Sequence, residues 1–262
     1  MRVLWLGEGA CHDIRHVGGK AANLSRLAAE FRVPSGFCIA PMSPAQWLNS
    51  AQVKSSAPLI DSSALLEAVA VGYRDLAARC GVEEPAVAVR SSAVEEDGRE
   101  SSFAGQYDTY LNIRGPEAIV AAVLRCWESA YGERMASYRS EHNLSSQSLG
   151  VAVLVQQLVP AELSGVAFSA NPISGNRDEV MINASWGLGE SVVSGKVTPD
   201  CLITGKADFR VKESYIGAKR LKTVLDAEGI REIPVARSEQ MVLCLDEPKV
   251  REITRLAVQL ES

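Results

Sequence analysis

At 262 residues the chain is long enough for one large domain or two packed lobes. Hydrophobic residues make up 47% and charged residues 23%, ordinary globular values that exclude a disordered tail, a coiled coil or a collagen-like rod. With 27 basic against 32 acidic side chains the net charge is -5, which gives no support to a sequence-independent nucleic-acid binder but leaves room for a local basic pocket.

The N-terminal run Val3-Leu4-Trp5-Leu6 stops at Gly7-Glu8, short of a secretory signal or of the roughly 20 residues that span a bilayer, so a cytoplasmic protein with no membrane partner is expected. Gly18-Gly19-Lys20 leads into a helix starting close to Lys20, with Ala21, Leu24, Leu27 and Ala28 at helical spacing. Val33 to Ala40 reads as a strand entered through Pro34. Ser55 to Pro58 reads as a loop. A helix over roughly Ser62 to Cys80 carries Leu65, Leu66, Val69, Tyr73 and Leu76 on one face and stops at Gly81.

Ala86 to Arg90 is a short apolar strand, and Ser91 to Gln106 is a polar stretch that reads as a functional loop. Tyr107 to Ile113 alternates like a strand. Pro116 begins a helix to about Glu141 that buries Ile119, Val123, Trp127, Ala130 and Tyr131. Val151 to Val159 is nearly continuous β-branched and apolar sequence, the pattern of a central strand covered on both faces. Gly165 to Ser169, Val180 to Ala184 and Cys201 to Thr204 add strands spaced by turns, and Pro248 to Leu260 is an amphipathic helix. The pattern predicts an α+β protein of two lobes: 1–105 as an N-terminal lobe, 106–245 as a β-rich lobe with part of it packing back on the first, and 246–262 as a closing helix.

Six scattered cysteines lack any zinc or redox spacing and read as reduced, mostly buried side chains. The three histidines form no ligand pattern with them, and no metal ligand is assigned. Two glycine-lysine pairs fail as a phosphate loop. Gly19-Lys20 lacks the earlier glycine and is followed by Ala21, while Gly195-Lys196 has Glu190 and Val197 at the defining places. Gly187-Leu188-Gly189 has Val192 at the third glycine position, so the dinucleotide fingerprint fails too, and by itself it reads as a tight turn. What remains is phosphate-compatible: Lys20 beside a glycine pair at a helix start, Arg90 at a strand end, and the small-residue loop Ser101-Ser102-Phe103-Ala104-Gly105-Gln106. Singly, Lys20 reads better as a solvent-facing lysine and Arg90 as the partner of a surface carboxylate such as Glu95 or Asp97.

The order and wording of these pieces change that weighing. Val17-Gly18-Gly19-Lys20-Ala21-Ala22-Asn23-Leu24, Val33-Pro34-Ser35-Gly36-Phe37, Val89-Arg90-Ser91-Ser92-Ala93 and Ser102-Phe103-Ala104-Gly105-Gln106 with Thr109 to Asn112 resemble the ATP-binding domain of the phosphoenolpyruvate synthase, pyruvate phosphate dikinase and rifampicin phosphotransferase family. So do Val155 to Pro160, Ser164 to Pro172, and Gly187-Leu188-Gly189-Glu190 with Pro199-Asp200, nearly end to end and in the family's order.

The resemblance implies an ATP-grasp-like, two-lobed nucleotide-binding domain with ATP and Mg2+ as cofactors. It matches Lys20 and Arg90 to the family's phosphate-clamping lysine and arginine, its catalytic cations, and Ser102, Gly105 and Gln106 to the loop over the phosphates. Gln156, Gln157 and Leu158 match the strand whose backbone reads adenine, with Glu162 as a ribose contact; Glu190 lies in a matched motif that either binds ligand or holds the fold. In this family ATP is split to AMP and inorganic phosphate, and phosphate travels on a histidine of a separate domain. None of His12, His16 and His142 lies in the family's Thr-Ser-His segment, and the resemblance places further strands after Ser262, so the fold is expected to be truncated before the family's last strands. Those strands carry an acidic metal ligand, so the expectation is an ATP-binding domain or subunit inactive as an isolated chain, with a phosphohistidine domain or chain as partner. A catalytically incomplete nucleotide-binding or scaffold protein is the alternative, and a carboxylate-amine ligase a third reading.

Overall fold

In the computed structural model, residues 3–42, 62–93, 109–131, 150–227 and 229–261 are described. Their contacts divide the chain into two units, Met1–Val159 and Pro160–Ser262. The sequence division at 105/106 has part of the second lobe packing back on the first; the strands Thr109–Ile113 and Val151–Gln157 are the elements after it that join the first sheet.

In the first unit five strands, β1 (Val3–Trp5), β2 (Gly36–Met42), β3 (Val87–Ser92), β4 (Thr109–Ile113) and β5 (Val151–Gln157), form one sheet in the order β1-β2-β5-β3-β4. All its neighbouring pairs are antiparallel. β5 is central and buried on both faces, as its unbroken apolar run predicts. Alternation sorts its side chains: Val151, Val153 and Val155 join a core with Phe37, Ile39, Val87 and Val89, while Ala152 and Leu154 face the other way with Cys38.

The first face is covered by α2 (Ser62–Cys80) and α3 (Pro116–Tyr131). α2 buries Leu65, Val69, Tyr73 and Leu76, four positions of one helical stripe, whereas Leu66, expected among them, is only half-buried. Its end is closed by paired bonds from Gly81 N–H to the Ala78 carbonyl (3.4 Å) and from Val82 N–H to the Ala77 carbonyl (3.2 Å), which satisfy orphan carbonyls of the last turn. α3 starts on a proline, whose fixed φ and missing donor suit a first helical position, and buries Ile119, Val123, Trp127 and Ala130. The Trp127 indole N–H donates to the Val151 carbonyl at 2.8 Å, tying this helix to β5. The other face of the sheet is covered by α1 (Ile14–Leu27) through Val17, Ala21 and Ala22. Ser55 to Pro58, and the side chain of Tyr131, lie outside the described residues.

In the second unit β6 (Leu163–Phe168), β7 (Glu179–Trp186), β8 (Asp200–Gly205) and β9 (Val211–Tyr215) form an antiparallel meander. A short helix, α4 (Glu190–Val193), lies between β7 and β8. β10 (Leu221–Asp226) and β11 (Gly229–Pro234) pair as a separate hairpin, followed by α5 (Arg237–Gln240) and α6 (Glu247–Glu261). α6 packs Val250 and Ala257 against Val180, Ile182, Ala184 and Leu202, and the buried hydroxyls of Thr254 and Thr204 bond across this contact at 3.0 Å. The mixture is α+β in both units. Among the described residues no helix is long and apolar enough to cross a membrane, and all six cysteines carry free thiols, four of them buried.

Candidate functional site

α1 is two helical pieces joined at a kink. Asp13 caps the first turn by accepting from Arg15 N–H at 2.9 Å, and the Arg15 guanidinium bonded to it holds its carboxyl well below the usual carboxylate range. At Gly18 the backbone turns to φ 74° and ψ 168°, a region open to glycine but strained for other residues. A Cβ at Gly18 would overlap the Ser92 carbonyl, so the bare backbone is also what lets the helix seat on β3.

The restarted helix is anchored by the end of β3. Gly19 N–H donates to the Ala93 carbonyl at 2.9 Å, and Ala21 N–H to the buried Ser92 hydroxyl at 3.1 Å, so strand atoms satisfy amides that a helix start leaves orphaned. Lys20 itself, half-buried, donates from Nζ to the Ser91 carbonyl at 2.9 Å. Arg90 is the residue before Ser91. It is registered opposite Leu154, a member of the α1-side cluster, and paired residues of antiparallel strands share a face. Lys20 and Arg90 therefore belong to the same side of the first sheet, at the same end of β3.

Ser102, Gly105 and Gln106, with Glu95 and Asp97, lie outside the described residues, while the expected loop from Ser91 begins later, since β3 runs through Ser92. Gln156 is buried on the α1 face, opposite Ala88, and its amide donates to the Pro34 carbonyl at 3.0 Å. The backbone N–H groups of Gln157 and Leu158 donate to the carbonyls of Ser35 and Ala86, both at 2.8 Å. These two amides are therefore engaged within the first unit. Glu162 and Glu190 belong to the second unit. The exposed Glu162 lines a cavity of about 410 Å³ with Trp186, Leu188, Lys222, Val224 and Glu239, while its carbonyl accepts from Gly187 N–H at 2.7 Å. Glu190, half-buried, opens α4, and its carbonyl accepts from the amide and hydroxyl of Ser194.

Two residues beside the cations were given no role by the sequence. Ser92 supplies the hydroxyl that receives the helix start, and Thr109 stands opposite Arg90 in the β3–β4 register. Both lie in matched motifs, and the period of 2 in Tyr107 to Ile113 was a signal for Thr109 once the strand pairing was known.

Comparison with known proteins gives the same direction. The family described as "Pyruvate phosphate dikinase, AMP/ATP-binding domain" matches residues 61–262. A probable phosphoenolpyruvate synthase of Methanocaldococcus jannaschii is 34% identical over 99% of this chain and 24% of that protein. The phosphoenolpyruvate synthase of Pyrococcus furiosus is 34% identical over 86% of this chain and 35% of its own length. The prodigiosin synthesizing transferase PigC of Serratia marcescens is 36% identical over 93% of this chain and 28% of its own. The chain thus spans between about a quarter and two fifths of the length of such relatives. With a match over most of its residues and the motif order that carries it, the chain belongs to the pyruvate phosphate dikinase family of AMP/ATP-binding domains.

Proposed function

We propose that the chain binds ATP as the nucleotide domain, of ATP-grasp type, of a phosphoenolpyruvate-synthase-like phosphotransferase. The observation that carries the reading is the placing of Lys20 and Arg90 on one side and at one end of β3. Two cations at a glycine-enabled helix start suit a polyphosphate tail, whose charge must be neutralised before phosphoryl transfer. The bond from Lys20 to the Ser91 carbonyl fixes where its ammonium lies, beside the end of β3. Arg90 brings a planar fork matched to phosphate oxygens.

The loop of Ser102, Gly105 and Gln106, the backbone near Gln156, Gln157 and Leu158, and the carboxylates of Glu162 and Glu190 are proposed as further nucleotide contacts on their motif matches. Mg2+ would add the neutralisation that two side chains do not supply, and no residue of this chain is assigned to it. ATP supplies the phosphoanhydride bonds. In this reading it is split to AMP and inorganic phosphate, with phosphate passed through a histidine on another domain or chain.

The test is transfer of label from ATP carrying it in the β-phosphate, with Mg2+, to a protein bearing a mobile histidine domain. Acid-labile label on that histidine, lost in the Arg90→Ala variant, is the expected result. ATP binding with no labelled histidine under any pairing would leave a nucleotide-binding scaffold and remove the phosphotransferase.

A further inference from the structure

Asp200 and Lys219 are both fully buried, each 0% exposed, and bonded to each other. Asp200 Oδ1 also accepts from Gly217 N–H at 2.8 Å and Oδ2 from Cys244 N–H at 2.7 Å, while the ammonium donates again to the Gly217 carbonyl at 3.1 Å. Lys219 N–H reaches the Thr198 carbonyl at 3.2 Å. Its backbone sits at φ 37°, in the left-handed region that a lysine enters only when its surroundings over-determine it.

A buried pair of this kind is a poor source of net stability, because well-packed apolar side chains often do as well in its place. Geometry is what it supplies. β10 starts two residues after Lys219, and its Thr223 carbonyl accepts from Leu188 N–H at 2.8 Å. The turn from Gly187 to Glu190 is also held by the Ser164 hydroxyl, which donates to the Gly187 carbonyl. The far end of the same segment, Thr198 to Asp200, is where Lys219 and Gly217 are bonded. The run 187–200 is therefore gripped at both ends by one stretch, 217–223.

We infer that Lys219 and Asp200 are positioning residues: their buried pair fixes the start of β10, and through the Thr223 carbonyl it sets the turn that presents Glu190. Only the purpose of that turn rests on the nucleotide reading; the anchoring does not. The spacing of these residues, 19 positions apart, explains why no local pattern signals it.

The experiment is amide hydrogen exchange by NMR on the full chain without nucleotide, comparing the unsubstituted protein, Lys219→Met, and Lys219→Met with Asp200→Asn. The single variant strands a buried carboxylate and loses thermal stability; the double variant removes the charge and regains much of it. Positioning predicts that in the double variant the Leu188 amide still exchanges at least tenfold faster than in the unsubstituted protein, while the Ile182 amide of β7 stays within about threefold. Should the single variant not fold, the double is read alone. Leu188 protection that is unchanged, or that rises and falls in step with Ile182, overturns the assignment and leaves a merely structural ion pair.

Discussion

The ammonium of Lys20 lies 2.9 Å from the carbonyl oxygen of Ser91, one peptide unit beyond Arg90 on β3. The helix cation is thus held by the backbone of the strand that carries the other cation, and the seating of α1 on β3 sets the relation between them.

Gly18 is the residue that permits this seating, so Gly18→Ala is expected to destabilise the protein by about 2 kcal/mol or more, through a strained φ and overlap with backbone at Ser92. Gly9→Ala is the control: an added Cβ there meets nothing within 4 Å, and the change should stay within about 0.5 kcal/mol. Urea unfolding of both variants checks the contrast. Equal midpoints would show that the close approach at Gly18 is not maintained in solution.

Asn171 organises the loop between β6 and β7. Its side-chain oxygen accepts from Ile173 N–H at 3.0 Å and Ser174 N–H at 3.3 Å, and its amide donates to Glu179 at 2.9 Å. That amide bond, more than the nearby Lys212, holds the Glu179 carboxyl below its ordinary range. Asn171→Ala should cost about 1 kcal/mol by removing the bonds that hold this loop. Asn171→Asp keeps the acceptor but faces Glu179 with a like charge, so its deficit at pH 7 should shrink as the solution is acidified toward protonation of either carboxyl. A deficit independent of pH would show that the Asn171 amide does not meet Glu179.

Cys244 is buried beside Asp200, and its thiol is pushed up to about 12, chiefly by burial and then by the bond to Asp200. A thiol that ionises near 9.0 when unfolded and near 12 when folded favours the fold fully below 9; that contribution is lost as pH climbs between the two values. Denaturation curves above pH 9 should therefore fall less steeply for Cys244→Ala, by up to about 1.4 kcal/mol per pH unit. Parallel slopes would remove the burial argument for this thiol.

Much of the first sheet was legible because its signals are local. The apolar run of β5 and the stripe Leu65, Val69, Tyr73, Leu76 each follow from side-chain period alone. The boundary was not. Thr109 to Ile113 pairs with Val87 to Arg90 across a stretch that no periodicity bridges, so a return to the first lobe was expected after 105/106 without identifying the residues that make it. β9, β10 and β11 were missed for another reason: Lys212, Glu213, Lys222, Arg231 and Glu232 interrupt any apolar alternation, because β9 and β11 are largely exposed and β10 is mostly half-buried. At the candidate site, Lys20 and Arg90 were found through motif wording, whereas the bonds from Lys20 to Ser91 and from Ala21 to Ser92 are products of tertiary seating.

Calorimetric titration of ATP with Mg2+ into the unsubstituted chain, Lys20→Ala and Arg90→Ala reads the nucleotide site most directly. Saturable one-to-one binding, weakened at least tenfold by each substitution as expected for losing a charge-assisted contact of about 1.5–3 kcal/mol, is the predicted result. Equal affinity in all three proteins, or no heat of binding in the unsubstituted chain, would contradict it.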